Sequence, residues 1–318
     1  MSILTDFSTP TFFINKLNFL KTKLPKDAYI LPISDLHACS TTAVFPYWYG
    51  QDLPIEPHKN MRDDGTWRFK HQIYTPTYKQ IKLFNLFTEA ARHTAEARKG
   101  KRLIFIGNGD MFDGKHHATQ QIATGNTREQ VSVAAWMIRY YLAIAGFDYE
   151  SGDRSFILQG TESHDGDDED GIAEQIKAEK LPSGDDVADF LQSEINNRLI
   201  WCLHQGAGVG KGLNKGNALR NWMKNKYIER LEQGKRPPDI VMSGHYHDPW
   251  YEALSRDGKI VMHGLILPPW QLKTRFGYRV AAAEIEKVGN SAIDIRENGE
   301  ITVYPHLYKT VEEEVIRL

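Results

Sequence analysis

Five short apolar segments of this chain are each followed by Asp or His residues. In chain order these residues are Asp35 and His37, Asp110 and Asp113, His164, His204, and His245 and His247. Short apolar runs are typical of buried strands, and open α/β sheets build their ligand sites at the carboxyl ends of parallel strands. Carboxylate and imidazole groups are also ligands that suit transition metals. The pattern therefore predicts a metal site assembled at one edge of a sheet.

The composition fits a globular chain with a full hydrophobic core. Its 318 residues are 41% hydrophobic and 11% aromatic, values typical of soluble domains, and a chain of this length buries roughly three quarters of its extended surface. The net charge of -2 argues against a protein that coats nucleic acid non-specifically, although it is compatible with a local basic groove.

Cysteine content and hydropathy bear on the compartment. Cys39 and Cys202 are too few for a disulfide framework or a structural zinc cluster, so both are expected to remain thiols in a reducing compartment. The sequence has no run of about 20 apolar residues that could span a membrane. Asp6 and Lys16 also interrupt the N-terminal segment before a secretion signal can form. We therefore expect a soluble cytoplasmic protein without a membrane partner.

Apolar periodicity and turn residues predict alternating strands and helices up to residue 248. The expected strands are 29–33, 103–106, 155–158, 199–204 and 239–242. The expected helices are 79–98, 127–145, 171–180, 186–197 and 215–233. Residues 41–78 form a long aromatic-rich insertion, and a loop of that length is usually either functional or packed over a neighbour.

Only strands are predicted after residue 248. They are 249–254, 259–263, 279–286, 291–295 and 300–306. A run of strands after a βαβα region suggests a second sheet packed on the first. Because no linker, repeat or low-complexity tract interrupts the chain, we expect a single domain over residues 1–318.

The Asp and His residues have the chemistry of a site for two metal ions. Two ions held about 3.5–4 Å apart can clamp a phosphate and acidify a bridging water. Asp110 is the natural bridging carboxylate because it lies centrally in the series. Asp35, His37 and one imidazole of the His-Tyr-His pair could serve one ion, and His204 with the other imidazole the second. Residues two apart would point the same way if each segment were locally extended.

The ordered motifs resemble the calcineurin-like metallophosphoesterase superfamily. They are Asp-x-His, Gly-Asp-x-x-Asp, a Gly…His-Asp turn, an isolated His and Gly-His-x-His, and they extend from residue 35 to residue 247. The resemblance implies an α/β fold, a four-layer α/β/β/α sandwich in which two mixed sheets are flanked by helices. A phage-encoded branch is similar at Gly107–Gly114 and the following Lys-His-His, and at 268–272, which would place the protein in a host cytoplasm.

The resemblance also implies roles for individual residues. One metal ion would be held by Asp35, His37, Asp110 and His247, and the other by Asp110, His204 and His245. His164 would lie over the phosphate and help to protonate the leaving group, oriented by Asp113.

Two departures from the family pattern bear on the ligands and the substrate. The family's Asn ligand is missing, so Thr161 or Glu162 fills its place, or water does; position favours Thr161 and chemistry favours Glu162. Protein phosphatases have an Arg directly after Gly-Asp-x-x-Asp, where this chain has Gly114 and then Lys115. The loss of that bidentate phosphate clamp favours a phosphodiesterase or nuclease. Candidate substrate contacts are Glu162, Lys115, His116, His117 and Lys211.

Several segments each keep two interpretations. The glycine-rich turn 206–212 has the wrong spacing for a nucleotide-triphosphate loop but could let a substrate approach the backbone. The basic residues between 211 and 230 form either a solvated helix face or a track for a phosphate backbone. The aromatic residues within 45–49 either pack or offer a stacking platform for bases. The acidic run 165–170 is read as the solvated start of a helix.

We therefore expect a dinuclear metal-dependent phosphoesterase in which a metal-activated hydroxide attacks phosphorus. The expected cofactors are two divalent ions, Mn first, with Fe, Zn, Co or Ni as alternatives because the ligands are rich in histidine. The expected substrate is a phosphodiester in nucleic acid or a nucleotide. One alternative is a phosphomonoesterase acting on nucleotides or phosphorylated ends. The other is a catalytically silent member that binds nucleic acid or a protein.

Overall fold

The computed structural model describes residues 26–49, 52–114, 121–161, 168–274 and 286–310. The strands in these ranges are β1 (Ala28–Ile33), β2 (Trp67–Arg68), β3 (Ile73–Tyr74), β4 (Arg102–Asn108), β5 (Arg154–Leu158), β6 (Val187–Ala188), β7 (Phe190–Ile195), β8 (Arg198–Leu203), β9 (Ile240–Ser243), β10 (Trp250–Arg256), β11 (Lys259–Ile266), β12 (Lys287–Ile295) and β13 (Ile301–Lys309). The α-helices are α1 (Tyr78–Arg98), α2 (Thr127–Ile144), α3 (Asp170–Ile176) and α4 (Asn217–Glu232). Within the described residues, no helix combines the length and apolar character that a membrane span requires.

The strands form two large mixed sheets. The first has the order β13-β12-β1-β4-β5-β6, with β1, β4, β5 and β6 parallel and β12 antiparallel to β1. The second has the order β10-β11-β9-β8-β7, with β8, β9 and β11 parallel. In each sheet, the parallel strands end at one common edge.

The alternation of side chains along β1 explains how the layers stack. Tyr29 and Leu31 belong to a core that contains α1 and α2, whereas Ile30 belongs to a core shared with the second sheet. Successive side chains of a strand point to opposite faces, so β1 is buried on both sides. On the far side of the second sheet, Leu219 and Met223 of α4 pack on it. The layers are therefore helix, sheet, sheet, helix, which confirms the expected α/β/β/α architecture.

Two helices begin directly after a polar residue that caps their N-terminus. Thr77 caps α1 in a capping box with Gln80, and the Asn126 side chain caps α2 by accepting from the Arg128 backbone N–H. Such caps satisfy backbone donors that the first helical turn leaves free. Helices α1, α2 and α4 lie where the apolar periodicity predicts them, within two residues at each end.

The expected helix at 186–197 is wrong. This segment forms β6 and β7, and β7 pairs with β8 so that Ile195 lies opposite Arg198. Asn196 and Asn197 make the connecting turn, with φ of 50° and 59°. Two consecutive residues with positive φ are the requirement of a tight hairpin turn, and Asn tolerates that conformation. The expected helix at 171–180 is also too long, since α3 ends at Ile176.

The strands after residue 248 do not form a sheet of their own. β10 and β11 complete the second sheet, and β12 and β13 extend the first. The expected strand at 279–286 falls outside the described residues except for Glu286, which lies in no strand.

The aromatic insertion packs on the protein. Phe45 and Trp67 are fully buried, with ring centroids 5.0 Å apart, and Trp67 Nε1 donates to the Pro46 carbonyl oxygen at 3.0 Å. Tyr47 is partly buried against the same core, while Tyr49 is 62% exposed. Packing is thus the role of Phe45, and the segment also contains the short β2–β3 hairpin.

Candidate metal centre

The candidate ligands lie in loops at the carboxyl ends of strands from both sheets. Asp35 and His37 follow β1, Asp110 follows β4, and His204 follows β8. The loop after β9 carries the last two, His245 and His247. Backbone hydrogen bonds join these loops. The His37 N–H donates to the Asp110 carbonyl oxygen at 2.9 Å. Gly244 N–H likewise donates to the His204 carbonyl at 2.9 Å.

The first ligand group consists of Asp35, His37 and His247. One ligand atom of each lies within 4.8 Å of the others. His247 Nε2 is 3.1 Å from Asp35 Oδ1 and 3.2 Å from His37 Nε2. Asp35 and His37 are buried, whereas His247 is half-buried, so among the described members of this group His247 is the one that reaches solvent.

The second ligand group consists of Asp110, His204 and His245, with the same spread of ligand atoms. Asp110 Oδ2 lies 3.0 Å from His204 Nε2 and 3.9 Å from His37 Nε2 of the first group. One carboxylate oxygen therefore faces both groups. This is the position that a bridging ligand between two ions requires.

The backbone at the ligands is left-handed. The φ angles are 52° at Asp35, 43° at His37, 51° at Asp110, 70° at His245 and 53° at His247. Asp and His adopt this region more readily than most residues, yet such conformations persist only where the surroundings hold them and they cluster at functional sites. The segments are not extended, so the condition under which residues two apart would point the same way is not met. His245 and His247 belong to different groups, which is the division that the resemblance implies.

Two residues that the sequence did not single out hold the ligands in place. Ser34 Oγ donates to Asp35 Oδ2 at 2.5 Å, and the His245 N–H donates to both oxygens of that carboxylate. His204 Nδ1 lies 2.6 Å from the Asn108 carbonyl oxygen and must donate to it, which directs Nε2 into the site. The sequence signal that could have identified Ser34 and Asn108 is their position at the ends of the strands that precede the ligands.

Asp113 contacts a ligand of the first group. Its Oδ1 is 3.3 Å from His37 Nδ1 and accepts from Gln271 Nε2 at 3.4 Å. A carboxylate behind a ligating imidazole sets its tautomer and orientation. In the described part of the chain, Asp113 thus orients His37. The partner expected from the sequence, His164, lies outside the described residues.

Thr161 contacts the central carboxylate. Its N–H and its hydroxyl both donate to Asp110 Oδ1, at 2.7 Å and 3.0 Å. These bonds occupy the oxygen of Asp110 that faces away from His204. As placed, Thr161 orients the bridging candidate through both of its donors. The other candidate for the missing Asn position, Glu162, lies outside the described residues.

Glu169 is a functional candidate that the sequence reading missed. Its carboxylate is fully buried, although the acidic run that contains it was expected to be solvated. One oxygen accepts from the Gly160 N–H at 2.7 Å and the other from the Met111 N–H at 3.3 Å. Glu169 therefore ties together the loops that carry Asp110 and Thr161. Nothing in its sequence neighbourhood distinguishes it from the exposed Asp168.

The charges of the site favour bound cations. Burial would raise the pKa of Asp35, but His247 and His204 lower it to about 2, so the carboxylate stays ionised. Burial would lower the pKa of His204, but Asp110 and Asp35 raise it to about 9. A raised imidazole pKa means that the surrounding carboxylates stabilise a positive charge at this place.

His204 supplies the clearest sign that a metal ion fits. Its buried Nε2 lies 3.0 Å from Asp110 Oδ2, and because Nδ1 donates to the Asn108 carbonyl oxygen, Nε2 presents a lone pair to that carboxylate whenever it carries no proton of its own. A lone pair against a carboxylate oxygen is unfavourable unless a proton or a cation lies between them. The mixture of carboxylate and imidazole ligands suits Mn, Fe, Zn, Co or Ni.

The remaining candidates are placed differently. Lys115, His116, His117, Glu162 and His164 lie outside the described residues. Lys211 is exposed in the glycine-rich turn. Basic residues after it pair locally, as Lys215 with Asp248, Arg220 with Glu252, and Lys226 with Glu229. These local ion pairs favour the solvated-face interpretation of the basic stretch.

Metal ions are expected to stabilise the folded protein. Adding Mn²⁺ to metal-free protein at about 100 times its dissociation constant should raise the free energy of unfolding by roughly 2.7 kcal/mol. Thermal melts with Mn²⁺ and with EDTA measure the change. A His204→Ala variant removes a ligand of the second group only, so its increment should be smaller. An equal increment in both proteins would contradict this ligand assignment.

No family model and no curated protein matches this chain. Similar solved structures include an archaeal phosphodiesterase, with 12% identity, 87% of this chain and 98% of that chain covered, and a TM-score of 0.34. Another is Vps29 from Entamoeba histolytica complexed with zinc, with 11% identity, 89% of this chain and 99% of that chain covered, and a TM-score of 0.34. A third is purple acid phosphatase PPD1 from yellow lupin seeds, with 8% identity, coverage of 90% and 52%, and a TM-score of 0.40. Similarities this low assign neither a family nor an activity to the chain.

Proposed function

We propose that this chain is a dinuclear metal-dependent phosphoesterase of the calcineurin-like metallophosphoesterase superfamily. The observation that carries the proposal is the pair of ligand groups that meet at Asp110, whose Oδ2 faces His204 at 3.0 Å and His37 at 3.9 Å. Each group combines one carboxylate with two imidazoles. A site of this composition, built at the carboxyl ends of parallel strands in two packed sheets, supports metal-assisted ester hydrolysis.

The residues around the two ligand groups would have separate roles in hydrolysis. When bound, two divalent ions would supply charge neutralisation for a phosphate ester and a water of lowered pKa. Asp110 would contribute to both ions, while Thr161 holds its other oxygen and Glu169 holds its loop. Asp113 would keep the His37 ring turned so that Nε2 faces the ion. His164 is proposed to protonate the leaving oxygen, as the motif order implies.

We propose phosphodiesters of nucleic acid or nucleotides as the substrates. The support is the absence of the Arg that clamps a phosphate bidentately, because a diester offers fewer free anionic oxygens to such a clamp than a monoester. Manganese is the proposed metal, and the single domain is proposed to extend over the whole chain. The phosphomonoesterase alternative keeps the same site and differs only in the substrate.

A hydrolysis panel tests the proposal. Metal-free protein is loaded separately with Mn²⁺, Zn²⁺, Fe²⁺, Co²⁺, Ni²⁺ or Mg²⁺ and assayed with bis(p-nitrophenyl) phosphate and p-nitrophenyl phosphate. We expect Mn²⁺ to support the fastest turnover, with the diester preferred over the monoester. Preference for the monoester would select the phosphomonoesterase. Lack of hydrolysis with every metal, together with tight DNA binding, would select the silent binding protein.

A further inference from the structure

Tyr246 is an aromatic side chain placed directly at the metal centre. It lies between His245 and His247 in the chain and is 38% exposed. Its ring centroid is 5.2 Å from that of His245, which is 5.5 Å from that of His204. The ring therefore borders the second ligand group and remains partly open to solvent.

The ring is held in one orientation. Tyr246 Oη donates to the Gly206 carbonyl oxygen at 2.9 Å, and the backbone N–H donates to the Gly244 carbonyl oxygen at 2.9 Å. The ring also lies close to Gly208, where three consecutive ring atoms are 3.4–3.7 Å from the place a Cβ would take. The glycine-rich turn thus supports one side of the ring and fixes its hydroxyl.

A fixed, exposed aromatic ring offers a surface for another planar ring. Stacking of a base on an aromatic side chain is favourable and tolerates every base, because each base has a π-face. Since the Tyr246 hydroxyl is already bonded to backbone, the ring contributes apolar surface and no free donor. Little ordering entropy remains to be lost on binding when the side chain is held beforehand.

We propose that Tyr246 stacks on the base of a nucleotide whose phosphate lies at the metal centre. This rests on the proposed phosphoesterase function and deepens it, because it makes a base-bearing phosphate ester the substrate class. The glycine-rich turn, rejected as a triphosphate loop, then acts as the support of the stacking ring. Of the aromatic residues at 45–49 that offered an alternative platform, Phe45 is buried, whereas Tyr246 is partly exposed beside the second ligand group.

Binding is tested with two phosphomonoesters, which the proposed phosphodiesterase does not hydrolyse. Mn²⁺-loaded protein is titrated with adenosine 5′-monophosphate and with ribose 5-phosphate, which has the same phosphate and sugar without the base. Stacking should make the nucleotide bind about tenfold more tightly. Tyr246→Leu should remove this preference and Tyr246→Phe should keep most of it. Equal affinities for both ligands in the wild-type protein would overturn the proposal.

Kinetics separate base recognition from a general effect on the metals. Tyr246→Leu should raise KM about tenfold for thymidine 5′-(p-nitrophenyl phosphate) and leave KM for methyl p-nitrophenyl phosphate unchanged. Tyr304→Leu is the matched control, because Tyr304 is 43% exposed on the edge strand β13. An equal loss on both esters would overturn the stacking role. Absence of hydrolysis in the wild-type protein would contradict the proposed function, while the nucleotide titration would still decide the role of Tyr246.

Discussion

Replacing Asp110 with Asn is expected to abolish Mn²⁺-dependent phosphodiester hydrolysis, with kcat falling at least about a thousandfold. The two Thr161 donors face Oδ1 of this side chain, so the Asn oxygen will take that place. The Asn amide NH₂ then points at His204 and at both ligand groups, where it cannot bind a cation. We also expect the metal content after Mn²⁺ loading to fall, as measured by mass spectrometry of the dialysed protein.

The control for this variant is Asp257→Asn. Asp257 has φ of 50°, against 51° at Asp110, and it lies in the exposed turn between β10 and β11. The two variants therefore share the chemical change and the backbone conformation, which Asn accepts readily. Asp257→Asn should keep activity and metal content. Undiminished hydrolysis by metal-stripped Asp110→Asn protein would exclude the two-metal mechanism.

Replacing Gly244 with Ala is expected to disrupt the first ligand group and destabilise the fold. An added Cβ would lie 1.9 Å from Ser34 Oγ and 2.7 Å from Asp35 Oδ2, so the Asp35 carboxylate must move. Overpacking a closed site costs about 1–3 kcal/mol or more. Asp35 also accepts the His245 N–H, so its displacement should weaken metal binding as well. Urea unfolding and Mn²⁺ titration measure the two effects separately.

Removing the hydroxyl that meets the added methyl provides the internal control. The double variant Ser34→Ala/Gly244→Ala lacks the Ser34 hydroxyl and keeps the approaches of the added methyl to Asp35 Oδ2 at 2.7 Å and to Asn108 Nδ2 at 3.1 Å. Its free energy of unfolding should exceed that of Gly244→Ala. The gain should be larger than the change that Ser34→Ala causes in the wild-type protein. If the two substitutions are simply additive, the steric explanation for Gly244 fails.

Much of the candidate site could be read from the chain because each ligand follows an apolar strand. The ends of parallel strands meet at a sheet edge whatever the details of packing. Order and spacing therefore identified the candidate ligands Asp35, His37, Asp110, His204, His245 and His247. The failures have specific causes. Residues 186–197 satisfied the helical period because the buried side chains Leu191 and Ile195 are four residues apart, a spacing that also fits one face of a strand.

The supporting residues could not be read in the same way. Glu169 precedes a helix like any solvated acidic residue, yet it is buried and accepts from backbone N–H groups in the loops after β4 and β5. Gln271 reaches Asp113 from a segment 158 residues away. Contacts over such separations depend on side-chain packing that no local pattern records.

The sequence by itself determined the type of site, because the ligand chemistry and the strand-end positions are both local properties. The resemblance already implied how the candidate ligands divide, and only the tertiary structure decided the distances within and between the two groups. His245 and His247 lie in different groups, and the meeting of two sheets brings Asp110 Oδ2 within reach of both groups. Those distances depend on how loops from separate strands pack together, which the folded layers set and the order of residues does not.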